Sequence, residues 1–140
     1  MIVPSRQSKA TQRWVDLLDI RCQSTTQRVV DLSGGNQQKT AFARLLQHDV
    51  DILLLDEPTR GIDVAAKAKL YGIIDEIASG TGSYKGKPRA VLVISSYLPE
   101  LLGICDRIGV MARGVLGPAR PVSMIDEHQL MLEATGQVDF

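Results

Sequence analysis

Between Asp51 and Asp63 the chain reads DILLLDEPTRGID: an unbroken apolar run, two adjacent carboxylates, then a proline. The run Ile52–Leu55 is short and continuously apolar, which suits a parallel-sheet strand buried on both faces. Pro58 carries no backbone N–H and ends it. Asp56 and Glu57 then stand at the C-terminal tip of the strand, where open α/β sheets bind their ligands. An aspartate there suits a hard cation such as Mg2+, held through water, because such ions take oxygen ligands. A glutamate beside it can orient or deprotonate a water molecule. Taken alone, the dipeptide is better read as an acidic pair meeting solvent at a strand end.

Working outward, Asp63 is placed to cap a helix over Val64–Ala78, with Ala66, Leu70, Ile73, Ile74 and Ile77 as its buried stripe. The stretch SGTGSYKGKPR, Ser79–Arg89, has three glycines and a proline and reads as a loop. Its Lys85, Lys87 and Arg89 fit a solvated surface better than a phosphate site. AVLVI, Ala90–Ile94, is a second strand of the buried type. A short helix is expected over Leu98–Leu102, a third strand over Asp106–Met111, and a turn within Gly114–Pro121. Ser123 with Asp126 resembles a capping box opening a last helix that ends near Gly136. Upstream, Ala10, Trp14, Leu17 and Leu18 stand at helical spacing, with Trp14 a packing residue. Cys22–Gln27 is loop-like. Strands alternating with helices argue for an α/β fold with a mainly parallel sheet.

Composition narrows the function classes. The 140 residues suffice for one modest domain with a core. Sixteen basic residues balance sixteen acidic ones, which removes the electrostatic footprint of a nucleic-acid binder. No apolar run approaches the roughly 20 residues of a membrane span, and MIVPSRQSKA has no apolar core of a secretory signal. Cys22 and Cys105 lack metal-ligand spacing and are expected to be reduced and structural. His48 and His128 lie among polar neighbours and are expected to be solvated.

A second motif, LSGGNQQK at Leu32–Lys39, precedes the first. Ser33 is the natural N-cap of a helix running to about Gln47, with Ala41, Phe42, Leu45 and Leu46 on its apolar side. Ser33, Gly34 and Gly35 would turn backbone N–H groups and the positive end of the helix dipole outward, and the glycines allow close approach of an anion. Alone, this too reads as an N-cap followed by a glycine turn. In this order and at this separation, the two motifs resemble the signature and Walker B motifs of ABC-transporter ATPase domains. LSGGNQQK followed by LLLDEPTRGIDV is similar to the second nucleotide-binding domain of sugar importers of the ribose, xylose and galactoside kind. RWVDLLDI and VLVISSYLPELLGICDRIGVM agree with it, so the resemblance covers about Gln7 to Gly136.

The resemblance implies an ATP-binding component of a sugar ABC importer that uses ATP and Mg2+. By position, Ser33, Gly34, Gly35 and Gln38 would contact the γ-phosphate of an ATP held by a second ABC ATPase domain. Asp56 would serve Mg2+ through water, Glu57 would be the catalytic base, and Asp63 would sit in the loop joining the two sites. Ser96 takes the place where many such ATPases carry a switch histidine, and Tyr97 a place more often acidic. A transmembrane sugar permease is the other implied partner, no nucleic acid is, and the implied location is cytoplasmic, at the inner face of the membrane.

A P-loop needs G-x-x-x-x-G-K-[ST] between a strand and a helix. The Gly86-Lys87 pair precedes Pro88 inside a loop and cannot serve. The expectation is therefore the C-terminal portion of one ABC ATPase domain. Residues 1–50 would close its helical subdomain with the signature, and residues 51–140 would form the Walker B half of its core. Such a chain alone is expected to be inactive. The alternative is a non-catalytic remnant or interaction module that docks on a full ATPase or permease.

Overall fold

The computed structural model describes residues 4–48, 50–82 and 87–138, which fall into two units, Met1–Ile94 and Ser95–Phe140. Lys85 and Gly86 lie outside the described residues.

In the first unit, strand β1 (Ile52–Asp56) pairs in parallel with β2 (Ala90–Ile94), from Ile52 opposite Ala90 to Asp56 opposite Ile94. Helix α3 (Val64–Ser79) makes the crossover. Its start is set by Asp63, whose side chain accepts the Ala66 N–H, and its end by Gly80 at φ 69°, a left-handed conformation that glycine adopts without a Cβ penalty. All five residues of the expected stripe, Ala66, Leu70, Ile73, Ile74 and Ile77, are buried.

Burial of β1 corrects the two-sided expectation. Leu53 and Leu55 are 4% and 3% exposed, whereas Ile52 and Leu54 are 62% and 64% exposed. On β2, Leu92 and Ile94 are 55% and 54% exposed. Side chains alternate along a strand, so one face of this pair packs inward. The other presents Ile52, Leu54, Leu92 and Ile94, and no described element of the unit covers them.

Helix α1 (Pro4–Leu18) begins earlier than the Ala10 start suggested by periodicity. Trp14 and Leu18 are buried, and the Trp14 indole N–H donates to Gln47 Oε1 at 2.6 Å, tying α1 to the residue that follows the next α-helix. Helix α2 (Gly34–Leu46) buries Phe42, Ala43 and Leu46. Ala41 and Leu45, expected on that side, are exposed. The apolar stripe is centred on the Phe42–Leu46 pair, an i, i+4 spacing, and the flanking apolar residues fall about a quarter-turn off it.

The second unit starts with helix α4 (Leu98–Ile104). The expected third strand is two short pieces. β3 (Arg107–Ile108) pairs antiparallel with β6 (Arg120–Pro121), and β4 (Met111–Ala112) pairs antiparallel with β5 (Val115–Leu116). Arg113 and Gly114, between β4 and β5, have φ 50° and 81°, the positive pair that a two-residue hairpin turn requires. Helix α5 (Glu127–Ala134) is capped by Asp126, whose carboxylate accepts the His128 N–H. Ser123 lies in a 3-10 turn over Val122–Met124, so the Ser123 capping box does not form. Ile108, Val110 and Leu130 form the core of this unit, with Leu98, Leu102 and Val122 packed on it. Buried Glu133 receives hydrogen bonds from both the Arg120 guanidinium and the Gln129 amide.

Candidate functional site

The tip of β1 carries the first part of the site. Asp56 is exposed and Glu57 half-buried. Glu57 has φ 45°, a left-handed conformation that costs a non-glycine residue of order 1 kcal/mol or more and persists only where its surroundings enforce it. Part of that enforcement is visible: the Glu57 N–H donates to the Ile94 carbonyl at 2.8 Å, and its own carbonyl accepts the Arg60 N–H at 3.1 Å. The chain then turns through buried Thr59 and through Gly61 at φ 73° to reach Asp63. The Asp63 carboxyl is held below its ordinary 3.8. The Ala66 N–H is the main cause, desolvation opposes it, and the Lys39 ammonium adds to it.

The second part is the turn that opens α2. Ser33 occupies the N-cap position with extended backbone (φ −62°, ψ 154°), and its carbonyl accepts the Gln37 N–H. Its side chain makes no cap hydrogen bond, contrary to the expected role. The Asn36 side-chain amide donates to Ser33 Oγ at 2.8 Å instead. Gly34 has nothing within 4 Å of the position a Cβ would take, so the main chain there is open to approach. Gly35 differs: a Cβ would lie 3.6 Å from the Gly61 carbonyl oxygen.

These contacts bring Ser33–Gln38 and Glu57–Asp63 together. The Gln38 amide donates to the Glu57 and Pro58 carbonyls, at 3.4 and 3.3 Å, so Gln38 holds one motif against the other. A cavity of about 380 Å³ lies beside the junction. Ser33, Gly35, Asn36 and Lys39 line it from α2, Ile62, Asp63 and Lys69 from the loop and α3, and Asp19 and Arg21 from the segment after α1. Lys39 donates to the Asp19 carbonyl at 2.8 Å, and Lys69 lies 4.0 Å from the Asp19 carboxylate.

Ser96 belongs to the second unit and is exposed. Its neighbours fix the turn: the Ser95 hydroxyl donates to buried Glu100 at 2.6 Å and accepts the Tyr97 N–H at 3.1 Å. Asn36 and Glu100 were not singled out in the sequence. Asn36 had a signal, a polar side chain three residues after a serine at a helix start; Glu100 showed none.

Among the described residues no three His, Cys, Asp or Glu side chains cluster as a metal cage. Asp56 offers one exposed carboxylate at the strand tip. That fits Mg2+, which is commonly held by one or two carboxylates together with substrate phosphates and water.

Residues 4–60 match the family model described as ABC transporter. The ribose import ATP-binding protein RbsA of Corynebacterium glutamicum is 44% identical over 135 residues, covering 96% of this chain and 24% of that protein. Residues 4–60 are thus similar to the ABC transporter family, and nearly the whole chain to a ribose import ATP-binding protein. The arabinose import ATP-binding protein AraG of Rhizobium meliloti, 42% identical over 130 residues, is covered to the same 24%. The chain thus spans about a quarter of the length of the curated relatives it matches. Among solved structures, a bacterial ABC transporter cassette determined as a dimer superposes with TM-score 0.73 at 20% identity, over 87% of this chain and 50% of that one. The fold is therefore that of part of an ABC ATPase cassette.

Proposed function

We propose that this chain serves as part of the ATP-binding component of a sugar ABC importer, supplying a signature turn to one composite ATP site and a Walker B strand to another. The observation that carries the reading is the Gln38 bridge to the Glu57 and Pro58 carbonyls, which joins the two motifs. At that junction Ser33, Gly34 and Gly35 offer a hydroxyl and a helix start to a γ-phosphate presented by a second ATPase domain. Gln38 would contact the same phosphate while its amide nitrogen donates to the Glu57 and Pro58 carbonyls. Asp56 would hold Mg2+ through water, and the ion when bound would neutralise charge on the phosphates. Glu57, at the strand tip, would orient the attacking water, and Asp63 would join the two sites through its loop. Ser96 would stand as a neutral donor where other family members use a switch histidine. In this reading residues 1–50 complete a helical subdomain and residues 51–140 form the Walker B half of the core. The partners are a second ATPase domain and a sugar permease, whose docking would keep the assembly at the cytoplasmic face of the membrane. No helix among the described residues is long and apolar enough to cross a membrane.

The test is a chimera in which this chain replaces the matching segment of the ribose import relative. Ribose uptake and ATPase activity should be retained, and Glu57→Gln in the chimera should abolish turnover. An inactive chimera that folds and assembles with its permease would overturn the reading.

A second reading, a non-catalytic module docking on a full ATPase or permease, draws on the exposed Ile52, Leu54, Leu92 and Ile94 face. Apolar patches of this kind mark interaction surfaces. A folded but inactive chimera, together with tight binding of the isolated chain to the ATPase, would favour it.

A further inference from the structure

We propose that Asn36 is a positioning residue that aims the Ser33 hydroxyl proton at the phosphate received by the signature turn; this rests on the reading of Ser33–Gln38 as a phosphate-contacting turn. The argument starts at Arg21. Its backbone N–H can only donate, and it lies 2.9 Å from Asn36 Oδ1. That contact decides which end of the Asn36 amide faces which way: the oxygen toward Arg21, the nitrogen toward Ser33 Oγ at 2.8 Å. An amide nitrogen has no lone pair to offer, so Ser33 must accept. A hydroxyl that accepts on this side keeps its proton for another partner. Ser33 is exposed and Gly34 leaves the approach open, so that partner is solvent or an incoming anion.

The segment carrying Arg21 is itself anchored. Ile20 is buried and its N–H donates to the Val15 carbonyl at 2.9 Å, while Asp19, at φ 51°, accepts Lys39 on its carbonyl. The relay therefore runs from a fixed main-chain donor, through one amide, to one hydroxyl. Each donor polarises the next, which strengthens the outward hydrogen bond.

The test uses the isotope-labelled chain and inorganic phosphate as the probe, followed by NMR at the Gly34 and Gly35 amides. Ser33→Ala and Asn36→Ala should each weaken phosphate binding, on the order of tenfold for a lost hydrogen bond to a charged group. The double variant should be no weaker than Ser33→Ala, because Asn36 acts only through Ser33. Equal weakening by Asn36→Ala in the wild-type and Ser33→Ala backgrounds would overturn the proposal. A ligand-free arm separates this from failure of the signature reading, which would appear as wild-type Gly34 and Gly35 amides that ignore phosphate. In that case side-chain couplings decide: Ser33 should hold one rotamer in the wild type and several in Asn36→Ala, and an unchanged distribution overturns the proposal. If Asn36→Ala does not fold, the exposed Ser33→Ala reports the same contact. Its Asn36 side-chain amide protons should move upfield and exchange faster; unchanged resonances overturn the assignment.

Discussion

Leu54 and Leu55 are neighbours on one strand, yet truncating them should cost very different amounts. Leu55 is 3% exposed on the inward face of β1, and Leu54 is 64% exposed on the other. Core Leu→Ala changes lose both transfer energy and the cavity left behind, about 2.7–5 kcal/mol, so Leu55→Ala should cost about 3–4 kcal/mol. Burying a leucine fully is worth roughly 1.5–3 kcal/mol, and Leu54 has only about a third of its surface out of water, so Leu54→Ala should cost about 0.5–1 kcal/mol. The expected gap of about 2–3 kcal/mol is a large part of the stability of a small domain. Urea unfolding followed by circular dichroism at low micromolar concentration resolves it, provided the slopes of the two variants agree. Costs within about 0.5 kcal/mol of each other would refute one-sided burial and show that the Ile52, Leu54, Leu92, Ile94 face is covered in solution. The same face predicts self-association, and Leu54→Thr should lower light scattering of concentrated samples with little loss of stability.

Gly34→Ala should not destabilise the chain, since nothing stands within 4 Å of the new methyl, and Gly72→Ala, in the interior of α3 with the same open surroundings, should stabilise it by about 0.5–1 kcal/mol. Denaturation curves check both, and a loss above about 1 kcal/mol for Gly34→Ala would mean that the glycine serves packing rather than access. Asp63 is held below its usual value, so its contribution to stability is present above about pH 4 and is lost as pH falls through the lowered value. Asp63→Asn should therefore narrow the stability difference between pH 6 and pH 3 in parallel melts, and an unchanged difference would exclude Asp63 as a source of that pH dependence. The chain alone is expected neither to bind Mg-ATP at micromolar concentration nor to turn it over, since in the proposed reading it would supply signature and Walker B groups, and its sequence contains no G-x-x-x-x-G-K-[ST] loop to cradle phosphates. Calorimetry and phosphate release test this, and turnover by the purified chain would contradict it.

Local signals were enough for the β–α–β unit around residues 52–94. A continuous apolar run, a 3.6-residue stripe and an aspartate before it each depend on residues within a few positions, and the cap at Asp63 and all five stripe residues follow from them. The two motifs likewise carried the resemblance to ABC-transporter ATPases, because their residue types and separation lie in the chain itself. Distant partners decided the rest. Whether both faces of β1 are buried depends on what packs there, and a run of leucines looks the same with one face covered as with two. The cap expected of Ser33 was displaced by Asn36, which is oriented by a main-chain N–H fifteen residues earlier. The joining of the two motifs through the Gln38 amide spans nineteen residues. Hydrogen bonds of this kind are set by where whole elements come to rest, so periodicity and capping rules, which see only neighbours along the chain, cannot contain them.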